Sequence, residues 1–145
     1  MQSLGINIGS TSLKMVLADD GRLVWSGVRA HEGDFGAAAK KLLEEGSDVL
    51  IFPEGSRSPD GTLQPLEGGA GLIAAHSKAS ILPVYVKGTY KAMPPGSPFI
   101  RPTKVTVTFG KLLSFDPEFL KTKDARRKIT EELENSLRSL EASCS

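Results

Sequence analysis

The sequence predicts a single α/β domain: an N-terminal antiparallel β-hairpin or meander, then a parallel βαβ core and a C-terminal amphipathic helix. Short alternating apolar segments separated by glycine turns fill residues 1–30. Two apolar runs, 49–52 and 80–86, flank a segment rich in small residues, as the strands of a βαβ unit flank their helix. Apolar residues at helical spacing follow in 122–140. A chain of 145 residues is the usual size for one domain.

The first 30 residues predict three antiparallel strands. Residues 4–8 alternate in the way half-buried strands do, and Leu13, Met15 and Leu17 alternate with Lys14 and Val16. Asp19, Asp20 and Gly21 form a hairpin-turn tripeptide, and the apolar residues of 23–28 supply a third strand. We therefore expect a β-meander here and an α/β part over residues 37–145.

Two helices and two strands are predicted in the middle of the chain. Asp34 is a good N-cap for a helix that Gly46 ends. The apolar run 49–52 predicts a buried strand, and residues 70–76 predict a short helix packed on the sheet. The strand 80–86 would then lie parallel to 49–52, because βαβ crossovers are right-handed and join parallel strands.

The C-terminal third contains a loop, a strand and the clearest helix. Residues 90–102 carry four prolines, which disfavour regular structure, whereas 104–109 alternates as a strand does. In 122–140 an apolar stripe runs along one helical face: Ala125, Ile129, Leu133, Leu137 and Leu140. This stripe predicts a face that docks on the sheet, and a partner or a membrane surface is the alternative.

Composition restricts the class of protein. The net charge of +1 does not favour nucleic-acid binding. The single cysteine, Cys144, excludes an intramolecular disulfide and predicts a reducing compartment, the cytoplasm, with the thiol in a disordered tail. The N-terminus lacks the pattern of a signal peptide, and no apolar run is long enough to span a bilayer. Contact with a membrane surface stays compatible with this pattern.

A charged loop follows the run 49–52. Pro53 ends the predicted strand, and the chain continues with Glu54, Gly55, Ser56, Arg57 and Ser58 before the turn residues Pro59, Asp60 and Gly61. The guanidinium of Arg57 suits a phosphate or a carboxylate, and Glu54 can accept from hydroxyl groups or hold Arg57. The alternative is an ordinary surface loop with an exposed ion pair.

These residues resemble a known family. FPEGSRS, followed by DGTLQPLEGGAGLIA, ILPVYVKG and KVTVTFG, is similar in order to blocks of the glycerolipid acyltransferases, which include 1-acylglycerol-3-phosphate acyltransferase. The resemblance covers residues 37–115. It implies acyl transfer from acyl-CoA or acyl-carrier protein to lysophosphatidate or a related phosphorylated alcohol, without a cofactor or metal. It also implies that the acceptor is bound by Glu54, Gly55, Ser56, Arg57, Ser58 and Gly68.

Two features depart from that family. Its histidine-x4-aspartate block is missing, since Gly36 follows five residues after His31, and Ile81 follows five after His76. His31 is the remaining candidate for the base. A carboxylate, Glu67, also stands where the family has a basic residue before the glycine. Whether the chain catalyses transfer therefore stays open at this point.

The N-terminus has a different resemblance. GINIGSTSLK, within residues 4–30, is similar to the first phosphate hairpin of the activator ATPases of 2-hydroxyacyl-CoA dehydratases and benzoyl-CoA reductases. That resemblance implies nucleotide-phosphate contacts by Gly9, Ser10, Thr11 and Lys14. Two alternatives to the acyltransferase hypothesis follow: a nucleotide-binding fragment of an activator ATPase, or a non-catalytic domain that binds lipid or a partner. The sequence contains no signal for oligomeric state.

Overall fold

The computed structural model describes residues 2–8, 12–19, 22–30 and 35–144 of the chain. Its N-terminal part is a three-stranded antiparallel sheet of β1 (Gln2–Ile8), β2 (Ser12–Asp19) and β3 (Arg22–Ala30), in the order β1-β2-β3. The register pairs Leu17 with Leu4 on one side and with Trp25 on the other, and a bulge follows Leu17. This confirms the predicted meander, which forms a sheet of its own.

The first helix, α1 (Phe35–Glu44), also matches its prediction. Gly46 has φ +82°, and its N–H donates to the carbonyl of Leu43 at 3.1 Å, while Ser47 donates to Leu42 at 3.0 Å. These bonds satisfy carbonyls that the helix end leaves open, which is why a glycine stands there. Asp34, the predicted N-cap, lies outside the described residues.

The predicted buried strand at 49–52 is wrong. Its only strand-like feature is a one-residue bridge at Leu50. Leu50 is 50% exposed and Phe52 is 55% exposed, so the run is not a core strand. A four-residue apolar run predicts a buried strand only when neighbouring strands cover both of its faces, and periodicity cannot show whether they do.

The predicted parallel pairing is not observed between the strands that the structure describes. The strand β4 (Val84–Lys87) pairs with β5 (Thr106–Phe109), and the two are antiparallel, with Val84 opposite Phe109. Ahead of β4, Ile81 makes an isolated antiparallel bridge to Leu113. Pro83 interrupts the ladder between them because it has no N–H to donate. The 80–86 pattern identified a strand, but the choice of partner depends on the chain that follows.

The connection from β4 to β5 contains one turn of helix, α3 (Thr89–Ala92), where the sequence predicted irregular structure from residue 90. The turn ends before Pro94, so the prolines still exclude regular structure from the remainder of the loop. The N–H of Arg101 donates to the carbonyl of Ala92 at 2.7 Å and closes the loop back on α3.

The core lies between α2 (Gly69–Ser77), the helix α5 (Ala125–Ser143) and the region around β4. A single turn, α4 (Pro117–Leu120), precedes α5 and is capped by the side chain of Asp116. The predicted stripe of α5 is confirmed: Ala125, Ile129, Leu133 and Leu137 are buried, and Leu140 packs beside them. They pack against Ala70 and Ala74 of α2. This face is therefore occupied within the chain.

Gly71 allows the two helices to cross closely. A Cβ atom at this position would lie 2.4 Å from Oγ1 of Thr130 and 2.5 Å from the carbonyl oxygen of Arg126. The absence of a side chain at Gly71 brings the backbone of α2 directly onto α5.

The described end of the chain is packed rather than loose. The Cys144 side chain is half-buried, with its Sγ 3.2 Å from Oγ1 of Thr108, and its carbonyl accepts a hydrogen bond from Nζ of Lys87. The expectation of a disordered tail thiol is therefore wrong, because α5 continues to Ser143 and delivers Cys144 to the sheet. No helix in the described ranges is both long and apolar enough to cross a bilayer.

Candidate functional site

The loop over residues 53–67 is closed at its base. The N–H of Glu67 donates to the carbonyl of Pro53 at 2.7 Å, and the N–H of Gly55 donates to Phe52 at 3.2 Å. Gly55 has φ +68°, and a Cβ there would lie 3.2 Å from Cγ of Glu67. The backbone conformation therefore favours glycine, and a side chain here would also require Glu67 to shift by a few tenths of an ångström.

The centre of the loop is a turn built on the carboxylate of Asp60. Its Oδ1 accepts hydrogen bonds from the hydroxyl groups of Ser58 at 3.0 Å and Thr62 at 2.8 Å, and from the N–H of Thr62 at 2.9 Å. The Gln64 amide adds a fourth donor at 3.1 Å. The bond from the Thr62 N–H, followed by those from the two hydroxyls, holds the pKa of Asp60 below its usual value. The predicted turn is thus present, and Gly61 has φ +84° within it.

Glu54 is fixed by the opposite arm of the loop. Its Oε2 accepts the backbone N–H of Gln64 at 2.8 Å, in a half-buried position. Among the described residues it forms no ion pair with Arg57, so the suggested pairing of these two side chains is not observed. The carboxylate is positioned by the backbone instead, and Oε1 stays available to a ligand.

Arg57 is exposed on this loop, and so are Gly55 and Ser56, whereas Ser58 is half-buried. Within the described ranges, the Arg57 guanidinium makes no hydrogen bond and no ion pair. It extends into solvent and does not line the groove described next. No described residue uses its five donors, which suit an incoming anion.

A groove of about 340 Å³ lies next to Gly68, at the other end of the loop. Arg126 of α5 reaches across it, and its Nε donates to the carbonyl oxygen of Gly68 at 3.2 Å. A Cβ at Gly68 would lie 2.6 Å from Nη2 of Arg126, so only glycine lets the guanidinium approach this closely. The groove is lined by Leu66, Gly68, Lys123, Arg126, Arg127, Thr130, Glu131 and Glu134.

The groove contains both paired and unpaired charges. Arg127 pairs with Glu131 at 2.8 Å and with Asp124 at 3.4 Å, and the Glu131 hydrogen bond is the main cause of the raised pKa of Arg127. Glu134 pairs with Arg138 at 2.6 Å. Lys123 and Arg126 form no ion pair with any described residue. Among the described residues, these two side chains therefore carry the positive charge of the groove that no carboxylate pairs.

Arg126 is not among the site residues that the sequence predicts. It lies far from the FPEGSRS motif in the chain, and only the crossing of α2 and α5 brings it to Gly68. The residues at helical spacing nevertheless distinguish Arg126 from its neighbour Arg127. Arg127 has carboxylates three residues before it and four residues after it, whereas Lys123 and Thr130 occupy those positions around Arg126.

Glu141 ties the loop to the rest of the fold. Its Oε1 accepts the backbone N–H of Leu63 at 3.0 Å and the hydroxyl of Tyr85 at 3.1 Å. Burial of the Tyr85 phenol, followed by the interaction with the Glu141 carboxylate, raises the pKa of Tyr85 to about 12. One carboxylate thus connects α5, β4 and the loop.

The remaining candidate residues stand apart from this loop. His76 is exposed in α2, and the described residues give it neither a hydrogen bond nor an ion pair. His31, Gly9, Ser10 and Thr11 lie outside the described residues, and Lys14 is part of β2. No cluster of metal-ligating side chains occurs in the described ranges.

The sequence of this chain is similar to those of known proteins. The sequence profile of the family described as Acyltransferase matches residues 7–87, which include the FPEGSRS loop and most of the N-terminal sheet. The 1-acyl-sn-glycerol-3-phosphate acyltransferase BAT2, chloroplastic, of Brassica napus is 37% identical over 94 residues, 64% of this chain and 27% of that protein. LPAT1, chloroplastic, of Arabidopsis thaliana is 35% identical over 95 residues, 65% of this chain and 27% of that protein.

A solved structure shows a similar fold. The crystal structure of the 1-acyl-sn-glycerophosphate acyltransferase PlsC from Thermotoga maritima superposes with a TM-score of 0.61 and 28% identity. The match covers 77% of this chain and 45% of that chain. This chain therefore spans under half of the solved structure, and about a quarter of the two curated relatives. None of these comparisons favours the nucleotide-binding alternative.

Proposed function

This chain belongs to the Acyltransferase family, and from that membership we propose that it binds a phosphorylated glycerolipid for acyl transfer in glycerophospholipid synthesis. The proposed acceptor is lysophosphatidate or a closely related phosphorylated alcohol. The donor is acyl-CoA or acyl-carrier protein. The observation that carries the proposal is the FPEGSRS loop itself: it lies within the family match, with Arg57 unpaired by any described residue and Glu54 held by the Gln64 N–H.

In this proposal Arg57 binds the phosphate of the acceptor. A guanidinium presents several donors in one plane and can form two parallel bonds to phosphate oxygens. Pairing to an internal carboxylate would have to be broken first, and the described residues supply no such carboxylate. Gly55 and Ser56 are exposed beside it, so a phosphate can approach the backbone as well as the side chain.

Glu54 orients the acceptor hydroxyl in the same proposal. Its Oε2 is occupied by the N–H of Gln64, which fixes the direction of Oε1. A carboxylate oxygen accepts a hydrogen bond from a hydroxyl and so holds an alcohol at a fixed position relative to the phosphate contact. Ser58 stays committed to the Asp60 turn and supports the loop.

Arg126 and Lys123 provide a second cationic position beside Gly68. The resemblance implies a basic residue before this glycine, where the chain has Glu67. Arg126 brings a guanidinium to the same glycine from a different element, at 3.2 Å from its carbonyl oxygen. We assign to it the basic role that Glu67 cannot fill, because a carboxylate repels phosphate.

Transfer itself moves an acyl group from sulfur to oxygen. The acceptor oxygen forms a bond to the carbonyl carbon, the carbon–sulfur bond breaks, and the hydroxyl proton is transferred to the released thiolate. A base that accepts this proton in transit is a histidine in most such reactions, and His31 is our candidate for it. Its partner in the proposal is Asp34, three residues further along the chain.

The test compares binding and turnover in the same preparation. Lysophosphatidate binding is measured by calorimetry, and acyl transfer from acyl-CoA by release of free thiol, for the wild type, Arg57→Gln and the control Arg22→Gln. Arg22 is an exposed arginine in β3, so its variant makes the same charge change on a different element. We expect Arg57→Gln to weaken binding by at least about tenfold, since a charged hydrogen bond is worth about 1.5–3 kcal/mol.

The results separate the alternatives. Binding and turnover that both depend on Arg57 support an enzyme, whereas binding without turnover supports the non-catalytic lipid-binding alternative. Equal affinities for wild type and Arg57→Gln would contradict the proposed role of the loop. Binding of ATP at millimolar concentration, with or without magnesium, would revive the nucleotide-binding alternative.

The proposed acceptor also determines where the protein acts. Lysophosphatidate is amphiphilic and partitions into membranes, so an enzyme or binding protein for it works at a membrane surface. We therefore propose peripheral contact with a membrane from the cytoplasmic compartment that the single cysteine indicates. The word "chloroplastic" in the names of the plant relatives describes those proteins only.

A further inference from the structure

The acidic residues of the chain are distributed very unevenly. All 17 of its aspartates and glutamates lie outside residues 68–115. That acid-free segment nevertheless carries lysine or arginine at six positions: Lys78, Lys87, Lys91, Arg101, Lys104 and Lys111. The small net charge of the whole chain thus conceals a strongly cationic segment.

Most of this segment is the hairpin of β4 and β5. Its residues alternate between two faces, as strand residues do. Tyr85 and Thr108 are opposite each other and face α5, where they meet Glu141 and Cys144. The residues next to Tyr85 and Thr108 in the two strands therefore lie on the other face of the hairpin, away from α5.

That outer face is apolar and uncovered. Val86 is 38% exposed, Val107 is 49% exposed and Phe109 is 65% exposed. Leu82 at 49% and Leu112 at 61% extend the face, because their neighbours Ile81 and Leu113 pack into the core on the α5 side. We call this surface the outer hairpin face.

The connection between the two strands exposes still more apolar surface. Phe99 and Ile100 are each 77% exposed, the highest values among the large apolar residues of the described chain. The hydroxyl of Ser97 donates to the carbonyl of Phe99 at 2.9 Å and shapes the backbone at this point. Two adjacent large apolar side chains in water are costly, by about 25 cal/mol for each Å² of apolar area. They point to a surface that is covered when the protein functions.

The cations border this apolar surface. Arg101 directly follows Ile100, Lys104 precedes β5, Lys91 lies in α3, and Lys111 lies between Phe109 and Leu112. All four are exposed, and none forms an ion pair with a described residue. Lys87 differs, because its Nζ donates to the carbonyl of Cys144.

This combination matches one kind of partner, the surface of a bilayer that contains anionic phospholipid. Apolar side chains enter the boundary between headgroups and acyl chains, while lysine and arginine contact the phosphates above it. A second copy of the chain fits less well, since a symmetric contact would place the same cations against each other.

We propose that the outer hairpin face, together with Phe99 and Ile100, is a docking surface for anionic membranes. The proposal rests on the proposed function only in that a membrane contains the lipid acceptor. Docking brings the protein to the membrane in which that acceptor resides. Its strength depends on the anionic content of the bilayer and falls as salt screens the headgroup charge.

Sedimentation with vesicles tests the docking surface without any turnover. The vesicles contain phosphatidylcholine alone or phosphatidylcholine mixed with phosphatidylglycerol, at low and high salt. Three variants are compared with the wild type: Phe99→Ser/Ile100→Ser, Arg101→Gln/Lys104→Gln, and the control Arg22→Gln/Lys128→Gln. The control removes the same charge from β3 and α5. Circular dichroism checks that all three stay folded, which we expect because the four hairpin side chains are exposed.

We expect the wild type to bind the anionic vesicles more tightly than the neutral ones. Loss of Phe99 and Ile100 should weaken this binding by at least about tenfold. Loss of the two cations should weaken it by about fivefold for each charge, and only at low salt. The control should bind like the wild type.

Several results would overturn the proposal. Equal binding of neutral and anionic vesicles, or a control variant that weakens as much as the hairpin variants, would remove the surface-specific contact. Self-association abolished by Phe109→Ser, without vesicle binding, would assign the face to a second copy. The docking proposal and the acceptor proposal can be contradicted independently. Lysophosphatidate binding in the absence of vesicles tests the role of Arg57, whereas vesicle binding tests the outer hairpin face.

Discussion

The hydroxyl of Tyr85 donates to Oε1 of Glu141 at 3.1 Å, and the same oxygen accepts the N–H of Leu63 at 3.0 Å. Glu141 of α5 therefore holds both the candidate loop and the strand β4.

The first prediction concerns the titration of Tyr85. Its pKa is raised to about 12, so the folded state favours the neutral phenol. The resulting stabilisation is fully present below the ordinary tyrosine pKa of about 10 and is lost as pH rises through about 12. Ultraviolet titration should show a phenolate component at this high pH that is absent from Tyr85→Phe. In Glu141→Gln, which loses the carboxylate charge, the component should move to lower pH.

The second prediction concerns the loop. Glu141→Ala removes the acceptor of the Leu63 N–H, so hydrogen exchange at Leu63 should accelerate by about five- to tenfold, as expected for a bond worth about 1 kcal/mol. The turn around Asp60 should keep its protection, because its donors all lie within four residues of it. Uniform acceleration across the chain would show that Glu141 supports the fold as a whole rather than the loop.

The third prediction concerns the helix crossing at Gly71. Replacing glycine by alanine inside a helix usually stabilises a protein by about 0.4–1 kcal/mol. Here the new Cβ would meet Thr130 at 2.4 Å and the Arg126 carbonyl at 2.5 Å, so Gly71→Ala should instead destabilise by about 1–3 kcal/mol. Urea denaturation measures the sign. A stabilised variant would mean that α2 and α5 do not cross this closely.

The fourth prediction concerns Arg126. Arg126→Gln should weaken lysophosphatidate binding by about fivefold or more and leave binding of monoacylglycerol, which lacks the phosphate, unchanged. Lys128→Gln is the matched control, since Lys128 lies over the ring of Phe119 on the same helix and does not line the groove. An Arg126→Gln protein with wild-type affinity would limit the phosphate site to Arg57.

The fifth prediction compares a buried and an exposed apolar residue. Ile129 is 0% exposed at the centre of the packing between α2 and α5, so Ile129→Ala should cost about 2–5 kcal/mol of unfolding free energy. Leu112 is 61% exposed, and Leu112→Ala should change stability by less than about 0.5 kcal/mol. A large loss at Leu112 would show that the outer hairpin face is already covered within the protein.

Local patterns predicted the elements whose periodicity is strong. The stripe of α5 and the end of α1 at Gly46 could be predicted because helical spacing and a glycine stop are encoded within one segment. The turn at Asp60 could be predicted for the same reason. The pairing of β4 with β5 could not, since a strand pattern indicates an exposed or buried face but not the neighbouring strand.

The residues of the candidate site likewise differ in whether the sequence alone could identify them. Arg57 and Glu54 stand in a linear motif, so the sequence identified them, although it suggested a mutual pairing that the structure replaces with the Gln64 N–H. Arg126 and Glu141 reach the loop through tertiary packing of α5, and no motif contains them. Contacts that depend on long-range packing cannot be predicted from a motif, because they form only when α5 packs against the loop.

The hydrogen bonds around Asp60 also bear on the order of events during folding. Their donors lie within four residues of the carboxylate, so this turn requires almost no loop closure and can form within microseconds. Glu141 joins Leu63 across 78 residues, and that contact waits for the collapse of the chain around α5. The loop over residues 53–67 would thus bend early in folding and reach its final position late.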